Sequence, residues 1–110
     1  MAETPNDLLK GALNLLVLRA LRDESRHGWG IQQRINQLAQ DTLSINQGSL
    51  YPALIRLEKK GLIKSKWGTS DAGRQAKYYS LTAKGRRQMD TETELWKQFS
   101  ATVNFILDKA

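Results

Sequence analysis

The apolar residues of this chain change their spacing at Gly61, and that change constrains the fold more than any other feature. Upstream, in the stretch "NQGSLYPALIRLEKKGLIKSKWG" (46–68), Leu50, Leu54 and Leu57 recur at the three-to-four-residue spacing of one helix face. Downstream, "LIKSKWG" alternates, with Ile63, Ser65 and Trp67 on one side and Lys64 and Lys66 on the other, which is the period of a strand. Gly61 suits the boundary, because a glycine just past a helix accepts the left-handed backbone that ends it. Asn46 is placed to cap the helix start. Ser49 is an alternative cap, which would put Pro52 in the first turn, where a missing N–H costs little. After the polar stretch "TSDAGR", "QAKYYSLT" alternates again, so two strands joined by a loop of about six residues form a β-hairpin.

Two helices are expected before this unit and one after it. Residues 8–22, "LLKGALNLLVLRALR", carry Leu9, Leu13, Leu16 and Ala20, beside Leu8, Ala12 and Leu15, on a face wider than one packing partner needs. Asn6 or Asp7 can cap that helix. It is either central to the core or packs both on its own domain and on a second subunit. "DESRHG" breaks it, and "GWGIQQRINQLAQ" (28–40) reads as a shorter helix with Trp29, Ile31, Ile35 and Leu38 against a polar face. "DTLSI" is a linker. Thr82 caps a last helix whose Met89, Trp96, Phe99, Val103 and Ile106 approximate the seam of a coiled coil, broken at Glu92. The fold class is thus mainly α with a small β-hairpin: a winged helix-turn-helix domain over residues 1–81 and a C-terminal dimerisation helix over 82–110. Trp67 is expected to pack the base of the wing on the third helix.

Charge gives this arrangement a direction. The chain of 110 residues has a net charge of +6, and residues 56–87 hold ten Lys and Arg against two acids, or +8, leaving −2 for the rest. A basic patch confined to one third of a chain is the electrostatic footprint of a nucleic-acid binder. A helix of this kind fits the major groove of B-form DNA, with its first residues reaching base edges, and a helix N-terminus favours phosphate.

Three segments together resemble the PadR family of bacterial transcriptional regulators: "HGWGI" (27–31), "GSLYPALIRLEKKGLI" (48–63) and "RQAKYYSLTAKG" (74–85). The middle segment is the most specific, matching at Ser49, Leu50, Tyr51, Leu54, Arg56, Leu57, Glu58, Gly61, Leu62 and Ile63. Trp29 stands where the family often has tyrosine. The resemblance implies a homodimeric regulator of the short form with a single C-terminal helix, usually a repressor, with double-stranded DNA as partner and a near-palindromic operator. Gln47, Ser49, Tyr51 and Arg56 on the third helix and Lys64, Lys66, Arg74 and Lys77 on the wing are the expected DNA contacts. Leu9, Leu13, Leu16, Met89, Trp96, Phe99, Val103 and Ile106 are the expected dimer interface, and Trp96 is also a candidate wall for a small-molecule effector. His27 is expected as a polar residue at a helix entrance.

The same composition bears on other classes. With no cysteine and one histidine, disulfides, thiolate zinc sites and thiol nucleophiles are excluded, and no cofactor or metal is expected. No apolar run reaches the roughly 18 residues of a membrane span, and the acidic, polar "MAETPNDLLK" is not a signal peptide. A cytoplasmic protein that is not an enzyme is expected, since no nucleophile–base pair, Gly-rich phosphate loop or spaced carboxylate pair occurs. The alternative from another class is an RNA-binding or protein-interaction module on the same fold.

Overall fold

The computed structural model describes residues 12–109. Asn6, Asp7, Leu8 and Leu9, expected in the cap and first turn of the opening helix, lie outside them. Among the described residues the elements run α1 (Leu13–Ala20), β1 (Arg26–His27), α2 (Gly28–Leu38), α3 (Gln47–Lys59), β2 (Ile63–Thr69), β3 (Gln75–Leu81) and α4 (Ala83–Lys109). The three helices, the hairpin and the long last helix therefore stand in the order that the periodicity indicates.

The sheet carries one strand more than expected. β1 pairs antiparallel with β3, Arg26 opposite Tyr79 and His27 opposite Tyr78, giving the order β1-β3-β2. A strand of two residues is too short to show a period, so "RH" could not be read as one. Its position joins the end of α1 to the sheet: the Arg26 guanidinium donates to the Ala20 carbonyl at 2.9 Å and pairs with Glu24 at 3.0 Å.

The core lies where the helices meet the base of the sheet. Val17 and Leu18 of α1, Ile31 of α2, Leu50 and Leu54 of α3 and Ile63 of β2 close into one apolar cluster. The linker contributes too. Ile45 is buried, its N–H donating to Asn36 Oδ1 and its carbonyl accepting from Gln32 Nε2, both at 3.0 Å. The polar side of α2 thus holds the linker that aims α3.

Both ends of α3 are defined by hydrogen bonds. Asn46 Oδ1 accepts from the Ser49 N–H at 3.0 Å, which settles the helix start in favour of Asn46. Pro52 then lies inside the helix, one turn past the first, and has no N–H to offer the Gly48 carbonyl. At the other end Gly61 has φ +75°; its N–H donates to the Glu58 carbonyl and the Leu62 N–H to the Leu57 carbonyl, both at 3.0 Å. This is the Schellman pattern of a glycine-stopped helix. The chain turns at once into β2.

α4 is anchored to that turn. Thr82 Oγ1 accepts from the Gly85 N–H at 2.9 Å and donates to the Gly61 carbonyl at 2.7 Å, and Lys84 Nζ donates to the Lys60 carbonyl at 2.9 Å. Gly85 packs directly on the Leu62 backbone. The helix has 27 residues, so at 1.5 Å per residue it is about 40 Å long. The molecule accordingly measures 54 × 31 × 21 Å.

Several apolar residues sit elsewhere than expected, among them Trp29 and Leu38 of α2, which are 54% and 53% exposed. Trp67 does not pack the wing base on α3: it is 68% exposed. Its face of β2 is the one expected, but by its position the hairpin has run past the end of the core, to which β2 contributes the buried Ile63. Leu13 and Met89, expected at the dimer interface, are buried within the chain's own core. Met89 belongs to the part of α4 that closes the domain.

Candidate nucleic-acid interface

α3 is amphipathic in an unusual way. Its buried side is all aliphatic (Leu50, Ala53, Leu54, Leu57), whereas its outer side begins with the small or polar Gln47 and Gly48 and continues through Tyr51, Pro52, Ile55 and Lys59, all exposed. Ser49 is half-buried at the edge of this side. Arg56, expected beside Tyr51 as a contact, turns the other way: its guanidinium donates to Asn14 Oδ1 of α1 at 3.4 Å. Tyr51 leans on the start of α2, where a Cβ at Gly28 would come within 2.7 Å of its hydroxyl. A glycine in "HGWG" therefore leaves room for the tyrosine of "SLYP".

The hairpin stands beside α3. Opposed residues of antiparallel strands point to the same side. The pairs Ser65–Tyr79 and Trp67–Lys77 thus share the face that looks toward α3, and Lys64–Ser80 and Lys66–Tyr78 share the outer face. Glu58 of α3 bridges the gap, accepting from Ser65 Oγ at 2.6 Å and lying 3.9 Å from Lys77 Nζ. Lys77 was expected to project from the wing; it is drawn inward by this carboxylate, though still exposed. Lys64, Lys66 and Arg74 are exposed, and Arg74 ends the loop Ser70–Arg74, which is closed by a 2.7 Å bond from the Ser70 N–H to the Arg74 carbonyl.

Between α3, the start of α2 and the hairpin runs an open groove of 750 Å³, walled by Trp29, Tyr51 and Trp67 and by the basic Arg74 and Lys77. Trp29 and Trp67 are 54% and 68% exposed. Neither was expected to face outward, since an aromatic at the spacing of an apolar stripe reads as core. Ile55 was also missed: it adjoins Leu54 in sequence but points away from it. Tyr79 lies at the floor of the groove, and burial raises its hydroxyl above the usual tyrosine range, reinforced by the Glu58 carboxylate and then by Tyr51. It therefore stays protonated and uncharged. His27 holds the entrance of α2 as expected, its Nδ1 accepting from the Gly30 N–H at 2.9 Å. The same ring rests against Tyr78 with centroids 5.3 Å apart.

A second surface lies on α4. Trp96, Phe99 and Ile106 are exposed there and Val103 is half-buried, while Leu16 of α1 is half-buried against the core. Trp96 and Phe99 meet at a tilt, centroids 6.4 Å apart. With Asn14 and Leu15 of α1 they line a cleft of 340 Å³. Of the residues expected at the interface, Leu9 lies outside the described ones and Leu13 and Met89 face inward, so the exposed part of the set is Trp96, Phe99 and Ile106, with Val103 half-buried on α4 and Leu16 half-buried against the core. Among the described residues no group of three His, Cys, Asp or Glu could hold a metal ion, and no helix is long and apolar enough to cross a membrane.

A family model and solved structures point to one kind of relative. The model of the transcriptional regulator PadR-like family matches residues 17–91. Among solved structures, the chain is similar to a transcriptional regulator from Clostridium thermocellum, 28% identical, covering 89% of this chain and 95% of that one with a TM-score of 0.80. It is likewise similar to a PadR-like transcriptional regulator from Bacillus cereus, 32% identical over 92% and 96% of the two chains, TM-score 0.79. A PadR family regulator from Eggerthella lenta is 30% identical, with 94% and 88% covered and a TM-score of 0.79.

Proposed function

Because the chain belongs to the PadR-like family of transcriptional regulators, we propose that it acts as a homodimer that binds a near-palindromic operator in double-stranded DNA and represses by occupying it. One observation carries this reading: the exposed side of α3 stands next to a hairpin whose Lys64, Lys66 and Arg74 are also exposed. A helix with its N-terminus free and small residues in its first turn enters a major groove, and its positive end favours phosphate. Gln47, Ser49 and Tyr51 then come close to bases and phosphates. Lys64, Lys66, Arg74 and Lys77 hold the sugar-phosphate backbone, which fixes register without reading sequence. Arg56 joins them only by releasing Asn14.

The second surface supplies the two-fold. Trp96, Phe99, Val103 and Ile106, with Leu16, pack against the same residues of a second copy, and the two α3 helices enter successive major grooves roughly 34–36 Å apart. The cleft at Trp96 suits a flat, largely apolar effector. Such a ligand relieves repression only if it binds the two arrangements of the reading heads with different affinity.

The reading is tested by measuring affinity for duplex DNA against salt, with duplex RNA of the same sequence as competitor. Counterion release predicts that log K falls linearly with log salt, at a slope of about 0.9 per phosphate neutralised. Several lysines and arginines per subunit make that slope steep. A flat response, or RNA competing as well as DNA, would contradict the proposal.

A further inference from the structure

Ile55 is 57% exposed in the middle of α3. It is an odd residue for that place. A β-branched side chain weakens a helix slightly, and one that points to water gains nothing from the core in return. Among the described residues it is not part of the apolar cluster. Its position on the helix gives the reason. One turn before it on the same stripe is Tyr51 and one turn after it is Lys59, both exposed, while Gly48 and Pro52 keep the surface between them low. Two longer polar side chains beside it are engaged to either side: Arg56 with Asn14 at 3.4 Å, and Glu58 with Ser65 at 2.6 Å. Ile55 is therefore the apolar summit of the outer side of α3, with hydrogen-bonding groups around it and the segment's one carboxylate turned toward the hairpin.

Base edges in the major groove offer one apolar group, the 5-methyl of thymine; the minor groove offers none. We infer that Ile55 is a specificity-determining residue that recognises this methyl, so that each half-site carries a thymine at one fixed position under the middle of α3. The inference rests on the DNA-binding reading above and adds to it what the helix reads. It assigns sequence preference to a side chain that makes no hydrogen bond, whereas the lysines and arginines around it supply affinity for any duplex.

The test begins with duplexes selected from a random-sequence library by the wild-type protein. In the tightest of them each thymine is replaced in turn by 2′-deoxyuridine, which removes the methyl and leaves pairing intact. Wild-type protein should lose about fourfold in affinity at one position per half-site, the value of one methyl group withdrawn from an apolar contact, with the salt dependence unchanged. Ile55→Ala should bind the thymine and uracil duplexes equally. It should melt no lower than wild type, since alanine suits an exposed helix position better. If deoxyuridine is tolerated at every position, or if Ile55→Ala keeps the wild-type preference, the assignment to Ile55 is wrong while sequence-specific binding stands. If no duplex is enriched at all, the DNA-binding reading fails and the inference with it.

Discussion

Gly85 shows how a single side-chain atom decides the packing of this molecule. A Cβ at that position would collide with the Leu62 carbonyl oxygen, a backbone atom that no rotamer change can move. Helix propensity alone would favour alanine there by about 1 kcal/mol, but overpacking against backbone costs about 1–3 kcal/mol or more, and the collision should win. Gly85→Ala is expected to lose up to about 2 kcal/mol in urea unfolding; an unchanged or raised midpoint would show that α4 can ride over Leu62. The sequence marks Gly61 as a helix stop, because its role is local and its flanks change period. Gly85 follows Thr82 in an ordinary first turn and gives no comparable sign, because what it touches lies 23 residues upstream. Trp67 and Ile55 are hidden for a related reason. Periodicity sorts side chains by face, and it does not say where along the strand or around the helix the neighbouring element stops.

At the scale of elements, the helices, the hairpin and the stop of α3 are legible from stripes, alternation and Gly61, whereas the start of α3, open in the sequence between Asn46 and Ser49, is decided only by the Ser49 N–H bond to Asn46, and β1 is not legible, its two residues being defined only by β3 beside them. α4 is the element whose pattern is most easily over-read. A coiled-coil seam can be drawn from Met89 through Ile106, yet Met89 closes the chain's own core and Trp96 and Phe99 stand exposed. Apolar spacing states that a face is covered without saying by what. If a second α4 covers the exposed part, Phe99→Asp would bury a charge in the seam, at a cost that dissociates the pair. The variant should sediment as a folded monomer, because Phe99 is 63% exposed in the single chain, and should bind duplex DNA far more weakly once the two heads no longer act together. A variant that remains dimeric would place the interface elsewhere.

At the scale of the whole molecule, positive charge and exposed apolar surface are segregated along the sequence. Its surplus positive charge lies in residues 56–87, which run from the end of α3 through the wing into the first turns of α4, while the exposed apolar residues of α4 follow them in the sequence. If two copies pair through α4, a change at that apolar surface would alter the spacing of their two basic regions. Charge segregation is plain in the sequence; the inward turn of Lys77 and Arg56 is not, because each depends on a partner, Glu58 or Asn14, that only the packed fold brings within reach. Two copies that read DNA through α3 in successive major grooves leave a signature in the sequences they select from a random duplex library. The recovered sequences should share an inverted repeat whose half-site centres are about 10–10.5 base pairs apart; enrichment of a single unrepeated site, or of none, would contradict that arrangement.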